Sequence, residues 1–182
     1  SPTSRLLIET FIPIIYAPRS RAIVRLWIPD RTELEVNGDD VNVQISGPLA
    51  GTIAVNGVIM LTEGDATLTD VVGNFSISTG QGGITLNRVD GKFDAETERG
   101  SIFFRGTPTP DEISHLETGN GSIFADLTGV SDPAVSASAA RGVILLHDEK
   151  RPLSGTNISV AAEGGATSLE LVTANGIIDI RR

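Results

Sequence analysis

The sequence predicts an all-β chain wound as a single-stranded β-solenoid, or β-helix, with about 18–21 residues per coil. Three observations lead there: an 18-residue internal repeat, glycines at fixed places within it, and an apolar content that is mostly Ile, Val, Leu and Ala with only 4% aromatics. Thin layers of β-branched and aliphatic side chains suit a narrow stacked core better than a bulky one.

The repeat is clearest where GNFSISTGQGGITLNRVDG (73–91) and GKFDAETERGSIFFRGTPT (91–109) align without a gap. Gly73 falls on Gly91, Phe75 on Phe93, Thr79 on Thr97, Gly82 on Gly100, Ile84 on Ile102 and Leu86 on Phe104. The T-x-x-G-x-I unit returns at Thr118, Gly121 and Ile123, and again at Thr173, Gly176 and Ile178. Degenerate copies are read at Leu61, Gly64 and Ala66, at Ala139, Gly142 and Ile144, and at Ala54, Gly57 and Ile59. A fixed period of this length is the signature of stacked repeats, each pairing its backbone with the coil above and below at about 4.8 Å. Stacking predicts an inner ladder of Ile84, Ile102, Ile123 and Ile144, and a threonine ladder of Thr79, Thr97 and Thr118. The glycines mark corners that need a positive φ or a close backbone approach. Six or seven coils make a rod about 30 Å long.

The other elements follow in order. Residues 1–21 form an apolar N-terminal cap or exchange strand ahead of the solenoid domain at 22–182. The run LLIETFIPIIYAP (6–18) is too short to span a bilayer and is interrupted by Glu9 and Pro13, so it reads as a buried or edge strand with no membrane insertion. Residues 22–46 alternate as half-buried strands do, with Leu34 and Val36, then Val41, Val43 and Ile45, set between polar residues. Residues 132–142 could form a short helix, but Val135, Ala137 and Ala139 alternate, which favours strand. Two stretches break the period, 107–115 and 147–157, and read as projecting loops where binding would concentrate.

Charge excludes some partners. The chain carries a net −9, and the five arginines of residues 1–31 against Glu9 and Asp30 make that segment +3, which leaves −12 on residues 32–182. An acidic body repels phosphate backbones and anionic lipid, so nucleic acid is excluded as a partner. With no cysteine there is no disulfide, thiolate zinc site or cysteine nucleophile. The first residue is Ser1, which fits a chain trimmed of a secretion signal.

Site chemistry is sparse. TGQGGI, TERGSI and TGNGSI lack the lysine and the following helix of a phosphate loop. Gln81, Gly82 and Gly83 are followed by Ile84 and Thr85, not by the aspartate a calcium solenoid needs. Asp39 and Asp40 with Asp65, and Asp111 with Glu112, read as solvated turn acids. His115 and His147, the only histidines, read as surface residues of the two insertions. No catalytic residue, cofactor or metal is assigned. Asn74, Asn120 and Asn157 head Asn-x-Ser sequons and are candidate N-glycan acceptors.

The glycine units TGQGGI, TERGSI, TGNGSI and TANGII, preceded by IVRLWIP (23–29), resemble the large family of adhesin-type domains of unassigned function that includes head domains of certain autotransporter-like bacterial adhesins. The resemblance covers roughly residues 22–182. It implies a right-handed β-solenoid, exported or at the cell surface, with no catalytic residues to carry over. The function expected is a non-enzymatic adhesion or structural module that self-associates or binds a surface glycan or protein, with filaments built through the N-terminal segment. The alternative is a glycan lyase or hydrolase on the same scaffold, with Asp111, Glu112 and Glu149 as its carboxylates.

Overall fold

The structure, a computed structural model, describes residues 4–9, 31–48, 51–110, 112–131, 133–147, 153–160 and 168–182. These hold fifteen strands and no helix. In chain order they are β1 (Ser4–Glu9), β2 (Thr32–Asp40), β3 (Val43–Ser46), β4 (Ile53–Glu63), β5 (Ala66–Val72), β6 (Phe75–Gln81), β7 (Ile84–Gly91), β8 (Phe93–Arg99), β9 (Ile102–Pro108), β10 (Ile113–Asn120), β11 (Ile123–Asp126), β12 (Ala134–His147), β13 (Leu153–Gly155), β14 (Asn157–Val160) and β15 (Ser168–Arg181). Pairing is parallel except where β13 and β14 fold back antiparallel on β12. Nine strands close a hydrogen-bonded ring, in the order β4, β6, β8, β10, β15, β11, β9, β7 and β5, with β5 returning to β4.

Pairing keeps the sequence register. Phe75 to Gln81 pairs with Phe93 to Arg99, and Ile84 to Asn87 with Ile102 to Arg105, each 18 residues on. Consecutive strands such as β6 and β7 therefore lie on different sides of one level, and their hydrogen bonds run to the levels before and after. Three corners bound the levels from 64 to 91. The first is Gly64, Gly82 and Gly100; the second is Asp70 and Arg88, with φ of 57° and 54°; the third is Gly73 and Gly91. Asp70 and Arg88 stack as neighbours and form a two-pronged ion pair, each bond 2.6 Å. A charged pair thus holds a left-handed conformation that side-chain-bearing residues otherwise disfavour.

The corner glycines are explained by proximity. A Cβ on Gly82 would lie 2.0 Å from the Gly64 carbonyl oxygen, one on Gly100 1.9 Å from that of Gly82, and one on Gly121 1.8 Å from that of Gly100. Three residues before each corner a buried threonine donates its hydroxyl to the previous corner: Thr79 to the Gly64 carbonyl, Thr97 to Gly82, Thr118 to Gly100 and Thr173 to Gly121. The threonine stays inside because its one polar group is satisfied.

The core is one continuous cluster along the stack. Phe75 and Phe93 lie parallel with centroids 6.4 Å apart, and Phe104 meets Phe93 edge-on at 6.0 Å. Phe104 takes the place of Leu86 in the next level, and Ala95 takes the place of Ile77. The larger residue on one side is thus matched by a smaller one opposite, as a core of fixed cross-section requires.

Level order departs from chain order at the C-terminal end. After β10 and β11 the chain skips a level to form β12, adds β13 and β14 on the far edge, and returns to lay β15 between them. The expected ladder from Ile123 to Ile144 is corrected here: Ile178 pairs with both, and the glycine column runs Gly100, Gly121, Gly176, Gly142. A second correction concerns Gly57, which is no corner. It pairs with Phe75, and a Cβ there would lie 2.9 Å from both the Phe75 ring and the Leu34 carbonyl oxygen, so this glycine makes room for the first phenylalanine and for the β2 backbone. The stretch 147–157 does not project as one loop either, since residues 153–155 pair along β12. At the other end β1 lies parallel along β2. Residues 10–30, which include IVRLWIP and most of the apolar run, lie outside the described residues.

Candidate functional site

With inward positions filled by the core, chemistry is left to the outward columns. On the side formed by β4, β6, β8, β10, β15 and β12, one column reads Val58, Ser76, Asp94, His115, Glu170 and Ser136. Its neighbour reads Met60, Ser78, Glu96, Glu117, Val172 and Ser138. Both columns are uncharged at these ends and become ionisable in the middle, over three levels in the first and two in the second.

His115 is the centre of that patch. Its Nε2 lies 3.1 Å from Glu117 Oε2, two residues along the same strand, and its Nδ1 lies 3.3 Å from Glu170 Oε2 on the next level. A neutral imidazole has only one N–H, whereas imidazolium donates from both nitrogens and satisfies both carboxylates. Burial alone would push the imidazole down; the hydrogen bonds and charges of Glu117 and Glu170 outweigh it and hold His115 above its ordinary value. Glu96 is the register partner of Glu117, so two like charges sit side by side next to the histidine. One ligand atom each from Glu96, His115 and Glu117 lies within 4.8 Å of the others, and among the described residues this is the group that could hold a divalent cation after His115 gives up its proton.

The side formed by β5, β7, β9 and β11 is more apolar outside. Phe103 and Phe124 are exposed register partners, and Ile177 and Val143 are exposed nearby on β15 and β12. Asp126 beside them accepts from the Thr128 hydroxyl at 2.5 Å and lies 3.6 Å from Arg105, which together hold its carboxyl below the ordinary range. His147 pairs with Asp179 at 3.3 Å. A separate groove of about 470 Å³ near the first described levels is lined by Leu34, Gly57, Val58, Phe75, Lys92 and Asp94.

The residues singled out in the sequence fall as follows. Asp65 Oδ1 accepts the Gly83 N–H at 2.7 Å and serves the corner, while Asp40 is the register partner of Glu63. Glu112 is exposed; Asp111 and Glu149 lie outside the described residues. Asn74 and Asn120 are exposed, and their side-chain oxygens accept from the Lys92 N–H and the Asn175 side chain. Asn157 opens β14. His115, read as a surface residue of an insertion, instead lies within hydrogen-bond distance of Glu117 and Glu170, with Glu96 close by. The signal lay in the repeat: counting back from Thr97, Thr118 and Thr173 puts Asp94, His115 and Glu170 at one position and Glu96 and Glu117 at another.

No family model, curated protein or solved structure matches the chain.

Proposed function

We propose that the chain is a right-handed β-solenoid serving as a non-enzymatic surface adhesion or structural module. The 18-residue register supports the solenoid reading. The ring closes because β15 runs through the glycine corner unbroken and pairs with both β10 and β11, and because Ile53 and Ala54 of β4 pair with Val71 and Val72 of β5. The observation that carries the functional reading is the use of the repeated residues: threonine hydroxyls and corner glycines are engaged in holding one level to the next, which leaves broad outward faces as the surfaces that vary. Membership of the adhesin-type family and an exported location fit that reading.

A glycan array followed by a reducing-end assay tests it. Binding without product supports an adhesion module. Product formation that alanine at Asp111, Glu112 and Glu149 abolishes would replace it with a carbohydrate-active enzyme. β1 (Ser4–Glu9) lies along the edge of β2, which supports a capping role over exchange between copies. Filament assembly through that segment requires residues 1–20, so an unchanged oligomer size by light scattering after their deletion rules it out.

A further inference from the structure

We infer that β12 to β15 form a single exchange unit, through which two copies of this chain swap their C-terminal ends. Three placements carry the inference. β12 pairs with β13, β14 and β15 and with none of the earlier strands, so its hydrogen-bonded connection to the rest of the stack runs through β15. β15 pairs along its whole length with β12, from Ala134 with Ser168 to His147 with Arg181, which binds the unit internally. Its other edge meets β10 and β11 over two shorter stretches, Ile113 to Asn120 and Ile123 to Asp126.

Among the described residues, the unit meets the body through the chain that follows β11 and through that interface. The crossing at 127–133 skips the level that β15 fills, a rise of about 9.6 Å from β11 to β12 on strand spacing, while seven residues reach about 23 Å. The rise takes less than half of that reach, and the rest covers the passage from the end of β11 to the side on which β12 starts.

During synthesis the edge of β10 and β11 is complete before β15 exists. Leu116, Ile123 and Ala125 then await a strand carrying Leu169, Leu171, Ile178 and Ile180, and the pairs that form, Leu116 with Leu171 and Ile123 with Ile178, are the same whichever copy supplies that strand. Reciprocal exchange makes a closed pair with no new contact required, and concentration decides between it and the monomer.

The absence of cysteine makes the test direct. Glu117 and Val172 are register partners across the exchanged interface, and Ser138 and Val172 are register partners inside the unit. Two full-length chains of different isotopic mass, one carrying Glu117→Cys and the other Val172→Cys, are mixed at several concentrations, unfolded, refolded and oxidised, and disulfide heterodimers are read by mass. Thr85→Cys on another side, mixed with Val172→Cys, sets the collision background, and circular dichroism verifies that each chain refolds.

The expected result is a Glu117→Cys with Val172→Cys heterodimer several-fold above background and rising with concentration, while Ser138→Cys with Val172→Cys stays at background because that pair remains within one chain. Background levels for both combinations overturn the exchange. A Ser138→Cys with Val172→Cys heterodimer above background overturns the unit, because β15 then moves alone.

Discussion

The sharpest perturbation of the corner geometry compares two adjacent glycines in one motif, Gly82 and Gly83. Gly82 has a φ of 148°, and a methyl there would sit 2.0 Å from the Gly64 carbonyl oxygen and 2.5 Å from its carbon. That carbonyl accepts the Thr79 hydroxyl at 3.1 Å, so moving it aside also breaks a buried hydrogen bond. Overpacking costs about 1–3 kcal/mol, the positive φ about 1–2 kcal/mol and the lost hydrogen bond about 1 kcal/mol. Gly82→Ala is therefore expected to cost about 3–6 kcal/mol, a large share of the stability of a domain this size. A methyl on Gly83 would meet its nearest atoms at 3.4 and 3.6 Å, ordinary contact distances. Gly83→Ala should change stability by less than about 1 kcal/mol, with the lost freedom of the unfolded chain on the favourable side. Urea denaturation followed by far-UV circular dichroism measures both, and at a slope of about 2 kcal/mol/M the Gly82 variant should shift by about 2 M. Equal shifts for the two variants would refute the close-approach explanation of the repeat.

Three further outcomes are expected. Thr97→Val keeps the shape of a fully packed side chain but removes the donor to the Gly82 carbonyl, at a cost of about 1 kcal/mol by the same denaturation. Ala95→Ile alone overpacks the level against Phe104 by about 1–3 kcal/mol and Phe104→Leu alone leaves a void; the double variant restores the pairing of Ile77 with Leu86, so a double-mutant cycle should show favourable coupling of about 1 kcal/mol or more. For His115, an NMR titration should place its midpoint above the ordinary histidine value, and Glu117→Gln or Glu170→Gln should lower it. Because the folded-state value is raised, this group's stabilisation is present below the unfolded value and is lost as pH rises through the folded one. A midpoint unmoved by either variant would show that the carboxylates do not hold the proton.

Much of the stack was legible because an 18-residue period leaves the same residue types at the same places. Thr97 before Gly100 before Ile102 is a local pattern, and its causes are local too: a hydroxyl that must reach one carbonyl and a corner with no room for a Cβ. The order of levels was not legible. Ile144 and Ile178 carry the same motif, and nothing within either coil records which of them adjoins Ile123; that depends on where the chain turns back after His147. Gly57 misled for a related reason, since glycine there answers to the bulk of Phe75 on the next level and not to a corner. The acids around His115 were half legible. The repeat alone pairs Glu96 with Glu117 and Asp94 with His115, but Glu170 joins them only because β15 lies against β10.

The account's central claim is that the C-terminal level lies between two levels that precede it in sequence. Methyl NOE spectroscopy tests this directly, with assigned isoleucines. The account predicts cross-peaks from Ile178 to both Ile123 and Ile144 and none between Ile123 and Ile144, which stand about 9.6 Å apart by strand spacing. A direct Ile123 to Ile144 cross-peak, with Ile178 at the edge of the stack, would contradict it.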